Sequence, residues 1–238
     1  MPTRPSARDV ARTARVAVTD VLPMILTMAR GTALSTLTED GLRIVRGRFR
    51  ATLGRLGVAL DVLGAERVPA EGGLVFMWNQ ETHLDHLVLA AAIPRPFFTL
   101  YNNEVARVPG YGRQLRNTGH VHLDRNDEGQ WRPAIARAAE RVLAGECVLI
   151  SPEGTRSADG RLLPMKRGAL MLAEAAARPV VCITVVGGHD RMPRGSPFVR
   201  GGPLRIVFSE PLAVPPEAES IADAIIRTFE RTKREHAL

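Results

Sequence analysis

Cysteine is scarce in this chain, whose 238 residues include only Cys147 and Cys182. Each stands inside an apolar run, Cys-Val-Leu-Ile and Val-Val-Cys-Ile-Thr-Val-Val. Two cysteines exclude the disulfide framework that small secreted domains use to supplement a limited core. We therefore expect both cysteines to be reduced core residues of a cytosolic protein.

Long hydrophobic runs are also absent. A helix that crosses a bilayer needs roughly 18 or more apolar residues. The nearest approach, residues 16–28, is interrupted by Asp20 and Pro23. This stretch lies too deep in the chain for a typical signal peptide. The sequence therefore predicts neither a transmembrane helix nor a secretory leader.

Several catalytic motifs are missing as well. The chain has no Gly-x-Ser-x-Gly elbow, no P-loop and no dinucleotide-binding glycine pattern. Serine hydrolases, P-loop nucleotide hydrolases and nicotinamide-dependent dehydrogenases are disfavoured for that reason.

Positive charge is in excess but unevenly distributed. Lys and Arg total 32 against 25 acidic residues, which gives a net charge of +7. Residues 1–60 hold ten arginines and four acidic residues, a net +6. A nucleic-acid-binding protein would spread its positive charge over the folded body. We therefore expect no nucleic-acid partner.

Residues 1–60 form the first predicted unit, a basic amphipathic helical region. Its apolar and basic positions interleave: Leu42, Ile44, Val45, Phe49, Leu53 and Leu56 with Arg43, Arg46, Arg48, Arg50 and Arg55. One interpretation is a helix at an anionic membrane surface, with its guanidinium groups on lipid phosphates. The other is a solvated helix packed on its own domain. The sequence leaves both open.

Residues 61–238 form the second predicted unit, in which apolar runs alternate with helical stretches. The runs of strand length and composition are residues 74–77, 97–101, 120–123, 147–150, 180–186 and 204–208. The helical stretches are residues 85–93, 133–144, 168–177 and 217–235. This alternation predicts an α/β fold with a mixed, mainly parallel sheet flanked by helices. Chemistry is expected in the loops at the carboxyl ends of the strands, and the loops at residues 79–85 and 153–156 should face each other across one cleft.

Polar clusters accompany three of the predicted strands. Residues 78–86 read Trp-Asn-Gln-Glu-Thr-His-Leu-Asp-His, and residues 119–125 read Gly-His-Val-His-Leu-Asp-Arg. Residues 151–157 read Ser-Pro-Glu-Gly-Thr-Arg-Ser and are followed by Lys-Arg-Gly at 166–168. A glycine lets the backbone approach an anion, and Arg156 offers a planar fork that suits bidentate phosphate contacts.

In this order, the clusters resemble the motifs of the glycerolipid acyltransferase family, whose members acylate lysophosphatidic acid and related lysophospholipids. The match covers roughly residues 61–210, and Pro-Glu-Gly-Thr-Arg-Ser is its most specific block. The resemblance implies that fatty acyl groups pass from acyl-CoA or acyl carrier protein to a phosphorylated acceptor, without a cofactor or a metal ion. It also implies a cytoplasmic protein held peripherally on the inner face of the membrane, in contact with anionic lipids.

The resemblance assigns roles to individual residues. Asp85 would orient the catalytic base. The residues that would bind the phosphorylated acceptor are Asn79, Arg125, Glu153, Gly154, Thr155, Arg156 and Lys166. For Glu153 and Arg156, the other interpretation is a mutual salt bridge that caps a turn.

The first block departs from the family pattern His-x-x-x-x-Asp, in which His is the general base, because Gln80 stands at the His position. A neutral amide cannot take the proton of an acceptor hydroxyl, and losing a general base typically costs about 10²- to 10⁴-fold in rate. We expect His83 to be the substitute base, with His86 next. Val181-Cys182-Ile183 departs from a second family block, Val-Pro-Val, which is associated with substrate access.

Two alternatives remain open from the sequence. A non-catalytic lipid-binding or partner-binding protein would keep the fold and the phosphate pocket after losing its base. Residues 82–86 also resemble part of the His-x-His-x-Asp-His motif of metallo-β-lactamase-type hydrolases, which would make His83, Asp85 and His86 metal ligands. That motif's first His is Glu81 here, and the long all-β region that precedes it in that family is missing, so we expect no metal site.

Overall fold

Seven strands form one mixed sheet in the computed structural model. The structure describes residues 5–29, 35–108, 110–124, 126–214 and 220–238. The strands are β1 (Val58–Leu63), β2 (Leu74–Trp78), β3 (Phe98–Tyr101), β4 (Val121–His122), β5 (Cys147–Ile150), β6 (Val180–Val186) and β7 (Gly202–Phe208). Their order across the sheet is β1-β7-β6-β2-β5-β3-β4. Only the β6–β7 pair among these is antiparallel, so the predicted mixed, mainly parallel sheet is confirmed.

Helices cover both faces of the sheet. In chain order they are α1 (Ala7–Val16), α2 (Leu22–Ala29), α3 (Glu39–Arg55), α4 (Asp85–Ala92), α5 (Asn103–Ala106), α6 (Tyr111–Asn117), α7 (Glu128–Leu143), α8 (Arg167–Ala176), α9 (Gly188–Arg191) and α10 (Ile221–Glu235). A π-helical stretch, Ala17–Val21, joins α1 to α2. Helix α10 begins at Ile221, and residues 217–219 of the predicted 217–235 helix lie outside the described residues.

Alternating side chains of β2 contribute to two separate hydrophobic clusters. Phe76 is fully buried on the face covered by α3 and α4. Val75 and Met77 are fully buried on the opposite face, among side chains of α7, α8 and α10. This alternation follows from the period of two in a strand. Because both faces of the sheet are covered, its central strands β2, β5 and β6 are apolar except at Thr184.

Helix α3 packs against the domain, which answers the question that the sequence left open about its apolar face. Leu42, Val45 and Leu53 are buried in the core. Arg46 donates a hydrogen bond to the Ile93 carbonyl at 2.7 Å, and Arg50 donates one to the Ala91 carbonyl at 3.0 Å. These carbonyls lie at the carboxyl end of α4, where a helix leaves acceptors unsatisfied. The two guanidinium groups are therefore occupied within the protein.

Strand β1 is absent from the predicted strands, and it runs across residue 60, the predicted boundary between the two units. It lies at the edge of the sheet and pairs with β7. Most of its residues are only partly buried, and Asp61 accepts a hydrogen bond from Arg205 at 2.7 Å. An edge strand with a charged residue lacks the continuous apolar run that marks a buried parallel strand.

Within the described residues, no helix combines the length and apolarity needed to cross a bilayer.

Candidate active site

The loops that follow β2 and β5 meet at the carboxyl edge of the sheet, because the two strands are neighbours. The Gln80 backbone N–H donates to Glu153 Oε1 at 2.7 Å. In return, the Ser157 N–H donates to the Gln80 carbonyl at 2.9 Å. The prediction that the 79–85 loop faces the 153–156 loop is confirmed by these two contacts.

Asn79 anchors the first loop to β6. Its side chain is 2% exposed. Its Oδ1 accepts from the Val185 N–H at 2.7 Å, and its Nδ2 donates to the Val185 carbonyl at 3.0 Å and to Glu81 Oε1 at 3.1 Å. These bonds connect the loop with the end of β6, so Asn79 has a structural role in fixing the loop.

Asp85 is buried at the start of α4, and its two carboxylate oxygens differ in their surroundings. Oδ2 accepts from the N–H groups of Glu81 at 3.0 Å and Thr82 at 3.3 Å, and from the Trp78 indole at 3.4 Å. Oδ1 has no hydrogen-bond partner among the described residues. Burial raises the pKa of Asp85 well above its usual range, with the Glu81 charge adding to the rise against the opposing Thr82 hydrogen bond. The family resemblance places the partner of Asp85 at position 80, where this chain has Gln80.

The Glu153 carboxylate accepts hydrogen bonds from backbone amides rather than from the Arg156 side chain. Its second oxygen, Oε2, accepts from the Leu163 N–H at 2.6 Å. Burial raises the pKa of Glu153, although the hydrogen bonds from Leu163 and Gln80 oppose the rise. The alternative of a Glu153–Arg156 salt bridge is wrong within the described residues, since both carboxylate oxygens bond backbone amides instead. Gly154 follows with φ +68°, a left-handed conformation that glycine adopts without steric cost.

A cavity of about 200 Å³ opens beside these loops. Gln80, Gly154 and Lys166 contribute to its lining, at the end where the two loops meet. The remainder is largely apolar and includes Trp78, Leu100, Tyr101, Val105, Leu123, Trp131, Ile135 and Ile150. Asn79, Asp85 and Glu153 lie behind this wall, and Thr155 is exposed. Arg125 lies outside the described residues.

The two candidate substitute bases differ in position. His86 lines the cavity and packs edge-on against Trp78, with ring centroids 6.0 Å apart. His83 is exposed and does not contribute to the cavity lining. Burial lowers the pKa of His86 to about 4, with His83 as a smaller cause. Burial and then Arg156 lower the pKa of His83. Both rings are therefore neutral at pH 7, and His86 is the one that faces the cavity.

Two arginines lie together beside the loops. Nη1 of Arg156 is buried without a hydrogen-bond partner among the described residues. Arg194, from the loop after α9, donates to the Arg156 carbonyl at 3.3 Å. Burial lowers the pKa of Arg156, and the nearby positive charge of Arg194 lowers it further. Sequence reasoning missed Arg194, although its position beyond the carboxyl end of β6 was a usable signal.

A metal site would need several ligand side chains to converge. In the part of the chain that the structure describes, no group of three or more His, Cys, Asp or Glu side chains is arranged to hold a metal ion. The metal-hydrolase alternative built on His83, Asp85 and His86 therefore gains no ligand cluster.

The region that contains the site matches a known protein family. The model of the family described as Acyltransferase matches residues 59–186. The chain belongs to the acyltransferase family. The resemblance inferred from the motifs is thereby confirmed, and the matched region contains both loops of the site.

Similar members of the acyltransferase family include two chloroplast or algal proteins. The chloroplastic 1-acyl-sn-glycerol-3-phosphate acyltransferase BAT2 of Brassica napus is 32% identical over 64% of this chain and 44% of its own length. A 1-acyl-sn-glycerol-3-phosphate acyltransferase of Chlamydomonas reinhardtii is 30% identical over 69% of this chain and 50% of its own length. The chain thus spans about half the length of these curated relatives.

The fold also resembles a solved acyltransferase structure. The crystal structure of the 1-acyl-sn-glycerophosphate acyltransferase PlsC from Thermotoga maritima aligns with a TM-score of 0.76. The alignment covers 96% of this chain and 95% of that chain at 20% identity. It therefore supports the same α/β fold along almost the whole chain.

Proposed function

We propose that this protein transfers a fatty acyl group from a thioester, acyl-CoA or acyl carrier protein, to a lysophospholipid or phosphorylated glycerol acceptor. The observation that carries the proposal is the apolar cavity that Gln80, Gly154 and Lys166 line where the two loops meet. An acyl chain suits the apolar walls, and a phosphate suits the cations at the loops. The names of the relatives support the same reaction class.

The acceptor's phosphate would be held by cations around the second loop. Arg156 has a buried donor without a partner among the described residues, and Arg194 places a second guanidinium beside it. Lys166 reaches the cavity from the amino end of α8, where the helix dipole also favours an anion. Family resemblance adds Arg125 to this set. Such a site would orient the acceptor so that its hydroxyl approaches the thioester carbonyl.

In the reaction, the acceptor oxygen bonds to the thioester carbonyl carbon, the carbon–sulfur bond breaks and the thiol leaves. The hydroxyl proton must pass to a base and finally to the thiolate. Gln80 cannot serve as that base, and the lowered pKa of His86 makes it a weak one. We therefore propose that turnover is slow and depends mainly on binding and proximity.

The second candidate function is non-catalytic binding of a lipid or a protein partner by the same fold. Gln80 favours this candidate, because the amide leaves Asp85 without the imidazole that the family pattern supplies. The two candidates differ in one observable, the release of free thiol from the donor in the presence of an acceptor.

We also propose that the amino-terminal helices hold the protein peripherally on the inner face of the membrane. Val18, Val21, Leu22 and Leu26 lie on α2 and the preceding π-helical stretch, and each is at least 36% exposed. Exposed apolar side chains on one short segment suit insertion between lipid headgroups. The excess of arginine in residues 1–60 would add attraction to anionic lipids.

The reaction is tested by following thiol release and acylated product with lysophosphatidic acid as the acceptor. Monoacylglycerol, which lacks the phosphate, serves as the comparison acceptor. We expect product from lysophosphatidic acid only, and Arg156→Gln should remove it. Arg161→Gln is the matched control, because Arg161 is 88% exposed and follows on the same loop. Absence of product with both thioester donors, while lysophosphatidic acid still binds, would favour the non-catalytic candidate.

The membrane contact is tested by sedimentation with anionic vesicles. Val18→Asp with Leu22→Asp should weaken binding, whereas Leu143→Asp should not, since Leu143 is 47% exposed but lies at the end of α7. Binding should also fall with salt, because exposed charges are screened over about 10 Å at 0.1 M. Equal vesicle binding by the wild type, the Val18→Asp/Leu22→Asp variant and the Leu143→Asp variant at every salt concentration would contradict the proposal.

A further inference from the structure

A buried carboxylate stands directly beside Gln80. Glu81 is 3% exposed. Its Oε1 accepts from Asn79 Nδ2 at 3.1 Å, and its Oε2 accepts from the His189 N–H at 3.2 Å. Glu81 thereby joins the 79–85 loop to the start of α9. A charge this deeply buried is costly unless an opposite charge pairs with it.

The opposite charge comes from the last helix. Lys233, on α10, forms an ion pair with Glu81 Oε1 and donates to the Gly160 carbonyl at 2.5 Å. Helix α10 is fixed to the sheet by Ile225 and Phe229, which are fully buried. Lys233 is therefore a cation on a rigid support, and it lies outside the region that the family model matches.

Lysine is rare in this chain, so the positions at which it occurs are informative. Lys166 and Lys233 are its two lysines among 32 basic Lys and Arg residues, and both lie at the candidate site. An ammonium group is a compact charge with three donors, so it can meet two acceptors from different directions. Here the acceptors belong to the loops after β2 and β5, the two loops that meet beside the cavity.

We propose that Lys233 is a positioning residue, which fixes the 79–85 loop through Glu81 and the 153–166 loop through the Gly160 carbonyl. The effect on acyl transfer rests on the proposed function, whereas the effect on the loops does not. Loss of Lys233 leaves Glu81 charged and unpaired close to Asp85 and Glu153. The cost of the unpaired charge is relieved when the loop opens to water. This opening moves Gln80, whose backbone N–H bonds to Glu153.

Hydrogen exchange tests the positioning directly. In Lys233→Met, amides of residues 79–84 and 157–163 should exchange at least about tenfold faster, because an unpaired buried charge favours local opening. Amides of β6 should keep their protection. Arg234→Met is the matched control on the same helix, since Arg234 is 71% exposed and its Nη1 lies 4.0 Å from Glu230 Oε2. It should leave both loops unchanged.

A double-mutant cycle tests whether Lys233 acts through Glu81. In a Glu81→Gln background no buried charge needs a partner, so Lys233→Met should lose most of its effect on loop exchange. In the enzyme assay, Lys233→Met should lower kcat about tenfold or more with little change in KM for the thioester, because misplaced loops impair geometry rather than donor binding.

The outcomes separate the proposals. Faster loop exchange that depends on Glu81 supports the positioning role even if the wild-type chain transfers no acyl group, a result that would count only against the proposed reaction. Unchanged loop exchange in Lys233→Met overturns the positioning role. If Lys233→Met fails to fold, the variant that combines it with Glu81→Gln decides. This double variant should fold, because it buries no unpaired charge. Its failure to fold would also overturn the proposal.

Discussion

Gln80→His is the substitution that the structure makes most informative. Asp85 Oδ1 is buried without a partner among the described residues, and Gln80, which stands at the family's His position, lines the cavity. An imidazole at position 80 would donate one N–H to Asp85 and present its other nitrogen to the cavity. The substitution thus supplies both the missing base and the missing partner of a buried carboxylate.

The structure predicts the size of two effects of Gln80→His, one on the rate and one on the thermal stability. A positioned general base typically contributes about 10²- to 10⁴-fold, so kcat for lysophosphatidic acid should rise by that factor. Pairing a buried polar atom that lacked a partner is worth about 1–3 kcal/mol. At about 2–4 °C per kcal/mol for a chain of this size, the Tm should rise by several degrees.

The assay combines initial rates of thiol release with thermal unfolding. Gln80→Leu is the control for a change of shape without a base, and it should raise neither quantity. Gln80→His combined with Asp85→Asn should lose most of the rate gain, because the imidazole is no longer oriented by a carboxylate. A Gln80→His variant that folds and binds lysophosphatidic acid, but transfers no faster than wild type, would refute the reasoning.

Three further predictions follow from the same site. Burial raises the pKa of Asp85, so its ionisation costs folding free energy once the pH exceeds about 3.9, the usual value for an unfolded Asp. Asp85→Asn should therefore raise the Tm at pH 7 and have much less effect near pH 4, and an equal shift at both would contradict this cause. Arg194→Gln should raise KM for lysophosphatidic acid about tenfold by removing a charge-assisted contact, with Arg161→Gln as the inert control in the same rate assay. Burial raises the pKa of Cys182 to about 12, so a maleimide should label this thiol at pH 8 only after unfolding.

The sequence by itself determined the central sheet and the position of the site. Strands β5 and β6 have the bounds that their apolar runs predicted, because a strand buried on both faces is apolar at nearly every position. The polar clusters after β2 and β5 were assigned to one cleft, since parallel strands bring their carboxyl ends to one edge. The absence of a histidine at position 80 was equally a matter of sequence.

Only the tertiary structure decided how these residues are partnered. Glu81 and Lys233 lie 152 positions apart in the chain, and no local pattern connects them. The hydrogen bonds of Glu153 to the Gln80 and Leu163 amides, and the placement of His86 rather than His83 at the cavity, depend on how loops and helices pack. Such contacts follow from the strand order and from side-chain packing, which are properties of the whole chain. Periodicity and motif spacing report local geometry, so they locate a site but leave its internal bonds undetermined.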